Sequence, residues 1–211
     1  MEKDMKQAII DLLEKLKSTD YISPDTIPNI DLYMDQITSF MDNQLATSKR
    51  HDDDKLLTKT MINNYTKNDL LPPPIKKKYS KEHLLSLIFI YYLKNILSIS
   101  DIHSVLSPIT QKYFGNKEGK NLEDIYAEIF RIEEAESNKV LKEFSKKYGI
   151  AKDTFKDFPE EDQPLLQTFS FICLLSFDIY IKKSLIEKII DDVIADTPEQ
   201  PKGEAKTEAT E

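Results

Sequence analysis

The sequence predicts a mostly helical protein on three observations. Glycine is scarce, with 4 residues in a chain of 211. Runs of β-branched residues bounded by turn residues, which are typical of strands, are few. Apolar residues recur at spacings of three and four in segment after segment, which places them on one face of a helix. The length suffices for one substantial core or two small domains.

Two amphipathic helices are predicted before the centre of the chain. The first covers 1–18 and is followed by a loop that contains Pro24 and Pro28. The second runs over 31–45, where apolar residues again form a stripe. The polar segment 46–54 that follows holds a histidine and three aspartates. It is predicted to be a solvated loop, because it lacks the convergent ligands of a metal site.

The segment 57–109 carries the most informative pattern in the chain. Thr58 is a good N-cap residue for a short helix over 59–67. Three prolines at 72–74 then stop any helix and hold the chain extended. A lysine triplet at 76–78 follows directly. Lysines on a short helix and on a rigid loop beside it can reach phosphates at two neighbouring places on a duplex, as in a winged helix-turn-helix.

Two further helices are predicted to complete this segment. Ser80 caps a helix that continues to about Asn95 and is apolar over more than half its circumference, so it is expected at the centre of a domain. His83 near its start is assigned a structural or exposed position. Ser100 is predicted to cap the next helix, and Pro108 to end it.

The C-terminal part is predicted to hold two long helices. A boundary is expected at 110–121, where two glycines lie among charges. A helix over 122–148 is expected to end at Gly149, a natural C-cap. An acidic loop over 151–163 precedes the last helix, 165–195. The tail, 197–211, lacks large apolar residues and is expected to be disordered.

The last helix is unusually apolar over 165–181. A transmembrane span needs about twenty apolar residues with few charges, and Asp178 lies well inside this run. We therefore expect a buried core or dimer helix rather than a membrane span. Cys173, the single cysteine, is expected to be a buried apolar residue. The start of the chain is charged and has no signal-peptide pattern, so a cytoplasmic location is expected.

Charge is distributed unevenly. The net charge is -8, yet residues 55–81 contain seven lysines and one aspartate. An acidic body with one basic end would present that end to a duplex. On the helix 59–67, apolar residues at three- and four-residue spacings leave the polar ones facing outward. The predicted DNA-binding residues are Lys59, Thr60, Asn63, Asn64, Lys67, Lys76, Lys77, Lys78 and Tyr79. Asparagine can pair with adenine, and lysine with phosphate.

A family resemblance rests on the order NNYTKNDLLPPP, KKKYS and HLLSLIFIYYLKNILSISDIHSVL. This order resembles the DNA-binding head of MerR-type regulators, with its recognition helix, proline turn, short wing and long apolar helix. Asn63 and Asn64 stand where arginine and tyrosine are usual, and Asp69 replaces a glycine. The stretch 27–109 also resembles the YkrK-like bacterial family, a domain of unknown function regarded as transcriptional regulators.

The expected organisation follows from the residues and the resemblance together. It comprises an N-terminal helix and loop (1–26), a MerR-like winged helix-turn-helix domain (27–109), a C-terminal helical region for dimerisation (110–196) and a tail (197–211). The resemblance implies double-stranded DNA as partner and a homodimer. We expect no enzyme, cofactor or metal, because phosphate-loop, CxxC and paired-histidine motifs are absent from the sequence. The alternative is a helical protein-interaction module that has lost DNA binding.

Overall fold

The computed structural model describes residues 22–51 and 53–194, together with Gln7 and Asp11. The predicted helix over 1–18, apart from those two residues, and the predicted tail lie outside the described residues. The described chain is mostly helical, which confirms the predicted fold class. Its helices are α1 (Met34–Gln44), α2 (Lys59–Lys67), α3 (Lys81–Leu93), α4 (Ile99–Tyr113), α5 (Leu122–Lys152) and α6 (Gln163–Ile189).

Short elements complete the fold. Strand β1 (Leu32–Tyr33) pairs antiparallel with β2 (Lys78–Tyr79). Two 3-10 turns, Pro24–Thr26 and Ala46–Ser48, flank β1 and α1, and a π-helical turn, Ile190–Ile194, extends α6. Each strand has two residues, so the sheet serves to join distant parts of the chain rather than to form a layer of its own.

Helix α3 is the centre of the main core, as its composition predicts. It is apolar around its whole circumference and is therefore buried on all sides. Its most buried side chains, each at most 1% exposed, are those of Leu84, Leu85, Leu87, Ile88 and Ile90. Ile37 of α1, Ile62 of α2 and Ile102 of α4 belong to the same core and are fully buried. We call residues 22–126, which surround α3, the head.

The head extends beyond the boundary predicted at 110–121. Leu122 and Tyr126, in the first two turns of α5, are 1% and 3% exposed and belong to the core around α3. The Tyr126 hydroxyl donates a hydrogen bond of 2.5 Å to the carbonyl oxygen of Ile22. Lys81 of α3 forms an ion pair of 2.8 Å with Glu123 of α5. Packing therefore continues through this stretch, and the head includes the start of α5.

Helices α5 and α6 form an antiparallel pair that we call the helical hairpin. The rings of Tyr148 and Phe171 meet edge to face with centroids 5.6 Å apart. Lys147 Nζ lies 2.6 Å from the Asp178 carboxylate on the facing helix. At the other end of α6, Ile190 is 5% exposed and belongs to the head core. The start of α5 and the end of α6 are thus both anchored in the head, at the base of the helical hairpin.

Three predicted helix boundaries are wrong. The N-cap of α4 is Ser98, whose hydroxyl accepts a hydrogen bond from the Asp101 backbone nitrogen, so the helix begins before Ser100. Pro108 lies inside α4, which continues to Tyr113 because apolar residues on both sides of the proline pack against the core. Gly149 lies inside α5, which continues past it to bury Ala151 at 1% exposure.

The described residues do not bury α6, so the predicted core position is wrong, whereas the dimer helix given as its alternative stays a prediction. Its outward side chains are exposed, among them Leu165 at 72% and Phe177 at 65%. Cys173, predicted to be buried, is exposed as well. The stretch Gln163–Ile194 is long and apolar enough to cross a membrane, with a mean hydropathy of 1.5 over an 18-residue window of which 6% is buried. The hydropathy of this surface indicates that another apolar surface covers it, and residues 22–51 and 53–194 do not supply that cover.

Candidate nucleic-acid interface

Helix α2 presents a polar face to solvent and an apolar face to the core. The Thr58 side chain accepts a hydrogen bond of 3.2 Å from the Met61 backbone nitrogen, as its N-cap position predicts. Ile62 and Tyr65, one turn apart, are 0% and 7% exposed and fix the rotation of the helix. The side chains left outside are those predicted: Lys59, Thr60, Asn63, Asn64 and Lys67 are all exposed.

A tight turn connects α2 to the segment that follows. Asp69 adopts a φ of 54°, a left-handed conformation that aspartate tolerates better than most residues. The carbonyl oxygen of Tyr65 then accepts hydrogen bonds from the backbone nitrogens of Leu70 and Leu71, at 2.9 and 3.2 Å. Both leucines are buried, at 2% and 1% exposure. They return the chain to the core and so fix the position of the prolines that follow.

The lysine triplet lies on a tight β-hairpin with a two-residue turn. We call this hairpin, residues 75–78, the lysine hairpin. The backbone nitrogens of Ile75 and Lys78 each donate to the other's carbonyl oxygen, at 3.0 and 2.9 Å. Lys76 and Lys77 form the tip, with φ of 51° and 64°. Two consecutive positive φ values are the geometry of a type I′ turn. Both tip side chains are exposed.

Lys76 and Lys77 occupy turn positions with positive φ, at which lysine is unfavourable. Type I′ turns favour glycine, which has no Cβ, and asparagine, whose short polar side chain can hydrogen-bond to the nearby backbone, because most other residues are strained at positive φ. The strain amounts to about 1 kcal/mol for each such residue. The strained tip therefore carries positive charge at a cost to the fold, and such outliers are concentrated at functional sites.

The start of α1 joins the lysine hairpin to α2. In the β1–β2 pair, Leu32 lies opposite Tyr79 and Tyr33 opposite Lys78. Lys78 Nζ stands over the Tyr33 ring, 5.4 Å from its centroid, within the range of a cation–π contact. Two residues further on, the Asp35 carboxylate forms an ion pair with Lys59 of α2. The basic residues of α2 and of the lysine hairpin thus belong to one surface that runs across Tyr33 and Asp35.

Sequence analysis did not identify Tyr33 or Asp35 as part of this surface. Asp35 is 24 positions from Lys59 and Tyr33 is 45 from Lys78. The residue pattern of a single helix or strand does not predict such pairs, because they form only when α1 packs against α2 and β2. The nearest signal in the sequence was the position of Asp35 near the start of the helix predicted over 31–45, outside its apolar stripe.

Tyr79 does not share this surface. Its side chain is 3% exposed, and its ring meets the edge of the His83 ring with centroids 5.4 Å apart. Burial raises the pKa of the Tyr79 hydroxyl above its usual range near 10. The side chain therefore belongs to the core beneath the lysine hairpin, and its inclusion among the predicted contact residues is corrected.

The surface offers chemical groups that can contact phosphates and base edges. Lysine ammonium groups can neutralise phosphates, and the asparagine and threonine side chains of α2 can pair with base edges. Among the described residues, no group of three or more histidines, cysteines, aspartates or glutamates is placed to hold a metal ion. The exposed side chains of α2 and the lysine hairpin project from two separate elements held by a single core.

Comparison with known proteins gives one match. A family model described as a domain of unknown function (DUF1836) matches residues 22–129, which include α1 to α4, the lysine hairpin and the first turns of α5. No curated protein and no solved structure gives a significant match. In the part of the chain that the structure describes, the matched range contains all the buried residues of the head core from Ile22 to Tyr126, and Ile190 alone of those core residues lies outside it. Because this match covers half of the chain, the protein belongs to the DUF1836 family.

Proposed function

We propose that this protein is a DNA-binding transcriptional regulator that acts on bacterial promoter DNA in the cytoplasm. In this proposal α1 and α2 form a helix-turn-helix and the lysine hairpin is its wing. Helix α2 enters the major groove, where Asn63 and its neighbours face base edges. The lysines of the hairpin neutralise phosphates of the adjoining backbone. The resemblance to MerR-type and YkrK-like heads supports the same assignment.

The observation that carries the proposal is the left-handed conformation of Lys76 and Lys77. A solvated surface turn would gain stability from asparagine and glycine at these two positions. Here charge stands where the fold favours small residues, at the tip of a rigid two-residue turn beside an exposed polar helix. A requirement for positive charge at this place explains the arrangement, and a polyanion is the ligand that it suits.

The test is a pair of matched charge variants, each made in the full chain. Replacing the tip by the favoured turn residues, in K76N/K77G, should preserve or raise thermal stability while weakening binding to a 30-base-pair duplex of random sequence. The slope of log affinity against log salt should flatten by about two units, at roughly 0.9 for each phosphate contact. The control, K142N/K146N, removes the same charge from exposed positions on α5 and should leave the slope unchanged.

Two results would reject the proposal. The first is a wild-type chain that binds no duplex at low salt. The second is an equal change of the salt slope in both variants. That result would show that the net charge of the protein, and not the position of Lys76 and Lys77, determines the salt dependence. A stable protein partner recovered in a pull-down, without DNA binding, would select the protein-interaction module instead.

We propose further that the protein acts as a homodimer through the outward face of α6. Large apolar side chains between 36% and 72% exposed follow this helix; they are Leu165, Phe169, Ile172, Phe177, Ile179, Tyr180, Ile181, Leu185, Ile186 and Ile189. At about 100° for each residue these side chains surround much of the helix, and those within about 60° of the direction of Leu165 are Leu165, Phe169, Ile172, Ile179, Tyr180 and Ile186. We call this group the outward face; at roughly 200 Å² for each large side chain, its exposed surface is about 700 Å². That exceeds the roughly 300–600 Å² patch of an ordinary monomer and is close to the ~800 Å² that each partner contributes to a standard interface.

The charges on α5 favour a second copy over a bilayer as the cover for α6. The two helices of the hairpin pack along their length, and Asp178 is bound to Lys147. Exposed charges continue along the same part of α5, at Lys142, Glu143 and Lys146. A bilayer that surrounded α6 would have to take up these groups as well, at a cost of several kcal/mol. A second chain needs to cover the outward face alone.

A further inference from the structure

An acidic side chain, that of Asp35, lies beside a lysine of α2 on the basic surface of the head. Asp35 lies in the first turn of α1 and its side chain is 76% exposed. It forms an ion pair with Lys59, the first residue of α2, whose side chain is 59% exposed. Asp69 is the one acid in the sequence of residues 55–81, and the carboxylate paired with Lys59 is supplied by α1. Lys59 therefore has an internal counter-ion in the DNA-free chain.

The helix itself does not require Asp35 as a cap. The backbone nitrogen of Tyr33, the N-cap residue of α1, donates a hydrogen bond of 2.8 Å to Gln36 Oε1. That capping function is thus filled by the glutamine beside Asp35. A carboxylate in a first turn is favoured by the helix dipole, but an exposed pair such as this one adds little to stability. Neither capping nor the stability of the ion pair therefore explains why a carboxylate stands beside Lys59.

We propose that Asp35 is a positioning residue that competes with DNA phosphates for Lys59 and so lowers the affinity for DNA of any sequence. The inference rests on the proposed function. A phosphate that approaches the start of α2 must displace the carboxylate before it can pair with Lys59. While the pair is intact, random DNA can form contacts with the other exposed lysines but not with Lys59. Base-edge contacts from Asn63, which is exposed one turn further along α2, do not depend on that exchange.

The first experiment compares two exposed aspartates of the same helix. The variant D35N frees Lys59, and the control D42N breaks the 2.8 Å pair of Asp42 with Lys49 at the other end of α1. Both raise the net charge by one. With a fluorescent 30-base-pair duplex of random sequence, D35N should bind about threefold to fivefold more tightly, with a salt slope steeper by about one unit. D42N should resemble the wild type, and circular dichroism should show all three chains folded.

A double-mutant cycle tests whether the effect passes through Lys59. In the K59A background, D35N should change the affinity by less than about twofold, because the competition has been removed. A gain that persists in K59A would show that the carboxylate repels DNA directly, and would overturn the inference. Equal affinities of D35N and a DNA-binding wild type would overturn it too, while leaving the proposed function intact. A wild type without salt-dependent binding would reject the function itself, and this inference with it.

Discussion

The Nδ1 atom of His83 lies 2.9 Å from the backbone nitrogen of Ser80 and accepts its hydrogen bond. His83 is the third residue of α3 and fills the place that glutamate or glutamine takes in a capping box. On its other side, Nε2 lies 3.4 Å from the Pro73 carbonyl oxygen. The rings of Tyr79 and Phe114 close around it edge to face, at 5.4 and 4.7 Å. A neutral imidazole with the proton on Nε2 satisfies both contacts, and it ties the central helix to the proline segment.

The fold should therefore lose stability in mild acid. Burial lowers the pKa of His83 below its usual value near 6.5, against the weaker opposing effects of the nearby carbonyls and of Asp31. The unfolded chain then binds the proton more tightly than the folded one. Stability is fully present above about pH 6.5 and declines as the pH falls below it. Urea unfolding between pH 7.5 and 5.0 measures this, in the wild type and in H83Q.

The glutamine variant separates His83 from all other titrating groups. Glutamine can accept the same hydrogen bond from Ser80 without binding a proton in this range. H83Q should therefore show a smaller loss of stability than the wild type between pH 6.5 and 5.0. If both chains lose stability equally, other groups are responsible and the neutral histidine has no part in the acid response.

Sequence readout should depend on Asn63 more than on Asn64. Neighbouring residues on a helix point about 100° apart, and the buried Ile62 and Tyr65 set the rotation of α2. Asn63 then shares the outward face with Thr60 and Lys67. N63A should cost about 1–3 kcal/mol on a site selected from a random library, and much less on random DNA. Selection of binding sites with N63A, N64A and wild type measures this.

Equal losses for N63A on selected and random DNA would contradict that prediction. Helix α2 would then hold the protein on the duplex without reading its sequence. N64A provides the matched control, because it removes the same side chain from the next position and both are exposed.

The chain should sediment as a dimer at tens of micromolar, a concentration suited to interfaces of moderate affinity. The variant F169E/I172E places two charges on the outward face of α6, where these side chains are 59% and 54% exposed. It should sediment as a monomer and keep its helical circular dichroism. I96E, on a residue 45% exposed in the head, is the control and should remain dimeric. A monomeric wild type that binds vesicles of anionic lipid would instead favour a membrane surface as the cover.

The N-cap of α4 gives a test of local stability. Replacing Ser98 by alanine removes the hydroxyl that accepts from the Asp101 backbone nitrogen at 3.1 Å, and should cost about 1 kcal/mol. Ser100 lies inside the helix, two residues beyond this cap. S100A should change the free energy of unfolding by less than about 0.5 kcal/mol. A larger loss for S100A would contradict the assignment of the cap.

Much of the head could be predicted because its signals are local. Thr58, Ile62 and Tyr65 define the start and the inward face of α2 through capping and three- and four-residue spacing. The apolar composition of α3 likewise indicates a central helix. The extra turn beyond Gly149 could not be predicted in this way. A glycine ends a helix only where nothing beyond it packs, and here Ala151 is buried.

The contacts of the candidate site were less accessible to sequence reasoning. The exposed lysines followed from composition, but the Asp35–Lys59 pair and the burial of Tyr79 depend on how separate elements pack. Helix α6 presents the opposite difficulty. Its hydropathy showed that it needs an apolar environment, yet a single sequence does not distinguish a core, a second chain and a bilayer.

The two points at which the helical hairpin is anchored in the head fix the rotation of α5 and α6 about their axes. Leu122 at the start of the helical hairpin and Ile190 at its finish lie in the same core as Ile62 of α2, so the outward face of α6 holds a set angle to the exposed face of α2. One residue inserted into each helix would turn that face by about 100°, whereas seven would restore it and lengthen the arm by about 10 Å. That length is roughly three base-pair steps. Under the proposed function, the length of the helical hairpin would therefore set the spacing of the DNA half-sites that the two heads of a symmetric dimer can reach.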